Sequence, residues 1–330
     1  MSRVVAGADP AAGEREGRRA MEAGSSRDAE PITRRAELRR WLEQYGVRPS
    51  RRLGQNFLVD DHWAERIVGA VEPGPDDVVL EVGPGLGALT ERLVRRAGRV
   101  VAVEVDRRLA EALRQRLACV DNFQLVVADV LQVDLADLVA RHLAPVGGDD
   151  MPAVKLASNL PYAITSPFLV RWLGSSVRWE RAVLTLQAEV VDRLVAAPGT
   201  AAYGALTVFV AYHARVERLG IVPAGAFWPR PEVDSAVVRL WPHPQPPVAV
   251  ADPDALFALV RAAFSQRRKR LANALAAHPA VDRRQAEAAC RAAGLDPGAR
   301  PEEVDLEGFA RLANQLFSSA AGRGPGPSAS

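Results

Sequence analysis

The sequence predicts an α/β fold: a Rossmann-like sheet with a small C-terminal helical domain. Three observations carry that expectation. Apolar strand-like runs alternate with helical patterns from residue 78 to about 194, the signature of a parallel sheet. The run Val78-Val79-Leu80-Glu81-Val82 opens into a turn holding Gly83, Gly85 and Gly87 and then a helix, as the first unit of such sheets does. Composition shifts to prolines across 242–247, and only helical patterns follow.

Each element has its own warrant. Residues 1–33 are rich in Ala, Gly, Arg and acids without apolar periodicity, which predicts a disordered extension. Asp9, Glu14, Glu16, Glu22, Asp28 and Glu30 argue against a mitochondrial presequence, which is poor in acids. Leu38, Trp41, Leu42 and Tyr45 form a helical stripe, and Asp60 can cap a second helix through Ile67 and Val71. A second strand over 100–105 carries Glu104, and a third over 123–127 leads into Ala128-Asp129. A fourth ends in Asn159-Leu160-Pro161-Tyr162. Strand-like runs near 206–211 and 236–240 close the sheet edge. Asp252 and Pro253 then start a helix whose stripe is Phe257, Val260, Phe264, Leu271 and Leu275. The organisation expected is an extension (1–33), a sheet domain (34–243), a helical domain (244–317) and a disordered tail (318–330).

The tetrad Asn159-Leu160-Pro161-Tyr162 is the most informative motif. An exocyclic amine on a base is a poor nucleophile because its lone pair is delocalised into the ring. The Asn159 side-chain oxygen and the Leu160 carbonyl can each accept one amine N–H, Pro161 fixes the backbone that aims them, and Tyr162 offers a flat face to the base. That arrangement points to methylation of an adenine amino group. The competing reading is a strand that ends in a proline turn with a core tyrosine.

The glycine loop alone does not choose a cofactor. Gly83, Gly85 and Ala88 fit G-x-G-x-x-A with an acid about 20 residues on, the dinucleotide fingerprint. That acid is Glu104, which can accept from both ribose hydroxyls of either nucleoside. Three features favour S-adenosylmethionine: Glu81, before the first glycine, suits a methionine ammonium and offers nothing to a pyrophosphate; the third strand ends in Asp129; and the fourth ends in the tetrad. Asp129 can accept from an adenine amino group, although by itself it could equally cap a helix. With Asn159, these groups sit at carboxyl ends of successive strands and should converge on one crevice. The fold class sharpens to a Rossmann-like S-adenosylmethionine-dependent methyltransferase sheet with a small C-terminal helical domain.

These residues resemble the ribosomal RNA adenine dimethyltransferases, most closely the bacterial small-subunit type, from about residue 53 to about 275. The resemblance includes Leu53-Gly54-Gln55-Asn56-Phe57-Leu58, the glycine loop, the acids and the tetrad. It continues through Leu186-Gln187-Ala188-Glu189-Val190, Pro198-Gly199-Thr200 with Tyr203-Gly204, the block from Phe227 to Ser235, and Phe264-Ser265-Gln266-Arg267-Arg268-Lys269. It implies that Asn56, Leu58, Gly83, Glu104, Asp129 and Asn159 contact S-adenosylmethionine, beside Gly85 from the loop itself, and that Phe227 is the second aromatic sandwiching the adenine. Ser158 stands where the family usually has Gly or Ala, and Ala163 where Asn often follows the tetrad; Thr165 and Ser166 can still cap the next helix.

Composition narrows the partners. The chain of 330 residues has 48% hydrophobic content and no apolar run near the roughly 20 residues that span a bilayer, so no membrane partner is expected. Cys119 and Cys290 are isolated and the five histidines lack ligand spacing, which predicts no metal and a reducing cytoplasm. The formal net charge is only +2, but arginines 34, 35, 39, 40, 48, 51 and 52 and the run Arg267-Arg268-Lys269-Arg270 concentrate positive charge. Such runs are commonly solvated faces. Flanking a base-binding crevice, Arg51, Arg52 and residues 267–270 read better as phosphate contacts.

The function expected is S-adenosylmethionine-dependent dimethylation of two adjacent adenosines at N6 in the 3′-terminal hairpin loop of small-subunit rRNA. The partner is that rRNA or an immature 30S particle, and the protein is monomeric. The alternatives are a large-subunit methylase of the antibiotic-resistance type, a non-catalytic assembly factor on the same fold, and a dinucleotide oxidoreductase.

Overall fold

The computed structural model describes residues 32–50, 52–142, 153–266 and 268–317; the expectations for 1–31, 318–330, Arg51 and Arg267 lie outside the described residues. The chain opens with α1 (Arg35–Gln44), β1 (Phe57–Leu58) and α2 (Asp61–Val71), and the Asp60 carboxylate caps α2 by accepting from the Trp63 N–H. Strands β2 (Val78–Val82), β3 (Arg99–Glu104), β4 (Phe123–Val127), β5 (Val154–Asn159) and β6 (Trp179–Gln187) alternate with α3 (Thr90–Leu93), α4 (Arg107–Arg116), α5 (Leu135–His142) and α6 (Thr165–Leu173). Then come α7 (Ala188–Leu194), α8 (Ala205–His213), β7 (Ala214–Val222), β8 (Phe227–Trp228) and β9 (Ser235–Pro242). Four helices follow: α9 (Pro253–Ser265), α10 (Leu271–Leu275), α11 (Arg283–Ala292) and α12 (Leu306–Phe317).

The large sheet runs β4-β3-β2-β5-β6-β9-β7, with β9 antiparallel to both neighbours and the first five strands parallel. The chain steps outward from β2 to β4 and then returns to β5 on the other side of β2. Loops leaving β2 and β5 therefore diverge and leave a crevice at their carboxyl ends. Glu81 pairs in register with Ala157, which brings the start of the glycine loop beside the tetrad.

Both faces of the parallel strands are apolar because helices cover both. Leu80, Leu156 and Leu184 join Phe168 and Trp172 of α6 in one core cluster, while Val79, Ala157 and Val183 join Ile67 and Val68 of α2 in another. Neighbouring residues point to opposite faces, so the strands read as unbroken hydrophobic runs.

Three expectations are corrected. Residues 206–211 are not an edge strand; they lie in α8, which starts where the Gly204 N–H donates to the Thr207 hydroxyl at 3.1 Å. Val210 packs in the sheet core while Val208 and Tyr212 pack in the helical core. Burial on opposite sides erases the helical period and leaves a β-branched, strand-like sequence. The edge strand is β7 instead. The C-terminal stripe is two helices, because the Leu271 and Ala272 N–H groups bond the carbonyls of Ala299 and Pro297 at 2.7 and 3.2 Å. Thr165 and Ser166 do not cap α6: they are its first residues, and a 3₁₀ turn at Tyr162–Ile164 feeds directly into the helix.

The helical cluster of α9 to α12 also takes in Tyr203, Val208 and Tyr212, so it is seated on α8 through a shared apolar core.

Candidate active site

A cavity at the carboxyl ends of β2, β3, β4 and β5 encloses about 1180 Å³ of atom-free space, part of it open to solvent. Its walls hold Glu81, Gly83, Gly85, Glu104, Asp129, Asn159, Leu160 and Tyr162, together with a strap of residues 52–58.

The wall that carries the glycine loop is built by backbone geometry. Gly83, Gly85 and Gly87 have φ of +66°, +58° and +97°, in the left-handed region where a side chain is strained. A Cβ on Gly85 would stand 3.1 Å from the Phe57 ring, and one on Gly83 would stand 3.3 Å from Pro161, so strap, loop and tetrad interlock. Gly54 does the same from the strap: with φ of +64°, its Cβ would lie 3.1 Å from the Tyr162 nitrogen.

Glu104 is buried and accepts from the Gly85 N–H at 3.1 Å and the Asp106 N–H at 2.9 Å. Burial raises its pKa against those hydrogen bonds. Glu81 is 1% exposed, and its Oε2 has no hydrogen-bond partner. Burial pushes this carboxyl up to about 8, with the Glu104 charge adding to the rise and the Thr90 hydroxyl opposing it. An unmet buried carboxylate at the foot of a glycine loop suits a cationic group. Asp129 is exposed and lines the cavity while its Oδ1 accepts from the Leu131 N–H at 2.9 Å, so it also braces its own turn.

The wall that carries the tetrad is oriented across the strap. The Asn159 Nδ2 donates to the Asn56 carbonyl at 2.8 Å, which leaves Oδ1 as the side chain's acceptor, unpartnered among the described residues. The Leu160 N–H donates to the Thr185 carbonyl at 3.2 Å, while its own carbonyl has no partner among the described residues. Tyr162 is half-buried, its phenol 2.5 Å from the Ser235 hydroxyl, and burial raises its pKa.

Asn56 and Leu58 both line the cavity. Phe227 does not: it is 1% exposed, in β8, where it pairs with Leu58 of β1. Arg52 is exposed and sits on the cavity lining. Arg268, Lys269 and Arg270 are exposed and make no ion pair among the described residues. Much of the earlier arginine tract is spent internally: Arg35 donates to the Gly225 carbonyl, Arg40 pairs with Glu37, and Arg39 lies over the Trp228 ring.

Three contributors escape a reading of the sequence. The Ser158 hydroxyl donates to the Val82 carbonyl at 2.6 Å and ties β5 to the strand that feeds the glycine loop. Its departure from the family's usual Gly or Ala was the only local signal. Ser235 lies in a recognised block, but no spacing connects it to Tyr162. Ile32 and Leu38 line the cavity from the N-terminal segment, and their apolar character alone carries no such signal.

Among the described residues no group of three or more His, Cys, Asp or Glu could hold a metal ion, and no helix is long and apolar enough to cross a membrane.

Residues 47–316 match the family model for ribosomal RNA adenine dimethylase. The chain is 45% identical over 275 residues to the ribosomal RNA small subunit methyltransferase A of Moorella thermoacetica, covering 83% of this chain and 95% of that protein. Among solved structures, the 23S rRNA methyltransferase ErmE is 31% identical with a TM-score of 0.58, covering 79% of this chain and 99% of that one. A dimethyladenosine transferase from Plasmodium falciparum, 24% identical with a TM-score of 0.61 over 77% of this chain and 94% of that one, shares the fold.

Proposed function

The chain belongs to the ribosomal RNA adenine dimethylase family, and from that premise we propose that it dimethylates N6 of two adjacent adenosines in the 3′-terminal hairpin loop of small-subunit rRNA. It is a methyltransferase by family. What carries the finer reading is Asn159: its amide N–H is bound by the Asn56 carbonyl, so the acceptor end remains for an incoming amine.

The wall residues fit S-adenosylmethionine. Glu81 suits the ammonium, Glu104 the ribose and Asp129 the adenine amino group, while the glycine loop allows close backbone approach. When bound, S-adenosylmethionine supplies an electrophilic sulfonium methyl. Asn159 Oδ1 and the Leu160 carbonyl accept the two amine N–H bonds and draw the nitrogen lone pair out of conjugation. Tyr162 holds the ring plane, and the family resemblance makes Phe227, buried in β8, the candidate second aromatic. Rate comes mostly from positioning and fixed dipoles. The alkylated nitrogen is acidic and loses its proton to water, so no strong side-chain base is needed.

Single-stranded loops suit this site because their bases can be splayed onto aromatics. The exposed Arg268, Lys269 and Arg270, with the helical region after 243, supply phosphate contacts, and Arg52 can reach phosphate or cofactor from the cavity rim. The substrate is small-subunit rRNA within an immature particle, met in the cytoplasm by a monomer. The large-subunit reading draws on the likeness to ErmE, but at 31% identity that likeness falls below the 45% to the small-subunit relative.

Transfer of labelled methyl to purified rRNA tests the substrate. Label should enter small-subunit rRNA and immature small subunits. Preferential labelling of large-subunit rRNA would overturn the assignment.

A further inference from the structure

We propose that Ser235 sets the plane of Tyr162 on the wall of the base site; this rests on the function proposed above. The phenol of Tyr162 and the hydroxyl of Ser235 stand 2.5 Å apart although 73 residues separate them in sequence. Ser235 is fully buried at the start of β9, fixed on both sides by ladder pairing with Gln187 of β6 and Val222 of β7. Tyr162, by contrast, sits in a short 3₁₀ turn on the cavity wall and is only half-buried. A ring carried on so short a turn can rotate about its own side-chain bonds. A hydrogen bond at its far end, to a hydroxyl locked in a central strand, removes that freedom.

Asp234, next in the chain, fixes the backbone that carries Ser235. Its carboxylate accepts from the Ala224 N–H at 2.8 Å, and its carbonyl accepts from the Ala188 N–H at 3.0 Å. The first bond closes the segment 224–234, which contains Phe227; the second fastens that segment to the start of α7. Asp234 thus anchors the backbone that leads into Ser235, and Ser235 alone reaches the cavity wall, through Tyr162. Ser235 is a positioning residue, since it meets Tyr162 and not the cavity.

The test is a double-mutant cycle on the full chain, reading methyl transfer to small-subunit rRNA and S-adenosylmethionine affinity. Ser235→Ala and Tyr162→Phe each remove the same bond while the ring stays. Each should lower kcat about five- to tenfold, with KM for cofactor within about twofold. The double variant should be no slower than either single one, and Ser235→Thr should restore most of the rate. A purely structural serine would lower the melting temperature without this non-additivity and without selective loss of kcat. Singles that multiply, or a Ser235→Ala enzyme with unchanged turnover, would overturn the proposal. Should Ser235→Ala fold poorly, Tyr162→Phe against wild type decides alone: full turnover refutes it. Absence of transfer by the wild-type chain would instead remove the underlying function, and the inference with it.

Discussion

The two walls of the cavity use their polar groups differently. On the cofactor wall, both Glu104 oxygens are engaged by backbone N–H groups and Asp129 braces its own turn. On the base wall, each reactive group is half engaged: Asn159 spends its amide N–H and keeps its oxygen, and Leu160 spends its N–H and keeps its carbonyl. The engaged half aims the free half. Cofactor-wall residues thus serve shape and binding together, whereas base-wall residues can lose chemistry while the fold survives. Glu81 stands apart on its own wall, buried with an unmet oxygen.

The largest effect should come from Asn159→Ala. Losing one fixed acceptor in a water-poor site should lower turnover by about 10²- to 10³-fold. The change also removes the Nδ2 bond to the Asn56 carbonyl, so S-adenosylmethionine affinity by calorimetry and the thermal midpoint should fall, but far less than turnover. A matching loss of binding or stability would erase the distinction between the walls.

Glu81→Gln should raise the stability of the ligand-free protein. The carboxyl's folded pKa is near 8 against an ordinary 4.5. Its cost is therefore absent below pH 4.5, grows as pH rises toward about 8 while the unfolded chain ionises first, and is constant above that. At pH 7 folding must protonate this carboxyl, and Gln, which takes up no proton, avoids a cost on the order of 3 kcal/mol. Denaturant titrations at acidic and neutral pH check the sign. The same group predicts proton release when cofactor binds near pH 7, measurable by calorimetry in buffers of different ionisation enthalpy and lost in Glu81→Gln.

Glu104→Ala should weaken S-adenosylmethionine binding by about one to two orders of magnitude, since ligand bonds and the Gly85 anchor go together. RNA affinity should hold. Equal losses for both ligands would mean that Glu104 only supports the loop.

The smallest effect concerns Arg268 and Arg270. Changing both to Ala should flatten the logarithmic salt dependence of rRNA binding by about 0.7 to 0.9 per lost phosphate contact, leaving cofactor affinity untouched. An unchanged slope would make them a solvated face.

What the sequence disclosed follows from how local each signal is. The glycine loop and the acids at strand ends were legible because each depends on a few adjacent residues, whereas the order of strands in the sheet is a long-range property that no local run encodes. The pairing of Asn159 with Asn56 spans 103 residues and that of Tyr162 with Ser235 spans 73, so no periodicity or spacing encodes them. Helix α8 was read as a strand because burial on two sides erased its period. The C-terminal stripe looked continuous because Leu271 keeps the apolar phase while its N–H bonds elsewhere. Phe227 was legible as a motif residue, but its burial against β1 was not, since β1 is two residues long and carries no strand signature. The arginine tract was legible as charge, and its internal uses were not.

In the proposed function this pair of walls dimethylates adenine N6. Nucleoside mass spectrometry of small-subunit rRNA incubated with the full chain and S-adenosylmethionine reads that product. N6,N6-dimethyladenosine should form with the wild-type chain and fall at least about a hundredfold with Asn159→Ala. Methylation at any other atom or base, or undiminished dimethyladenosine from the Asn159 variant, would contradict it.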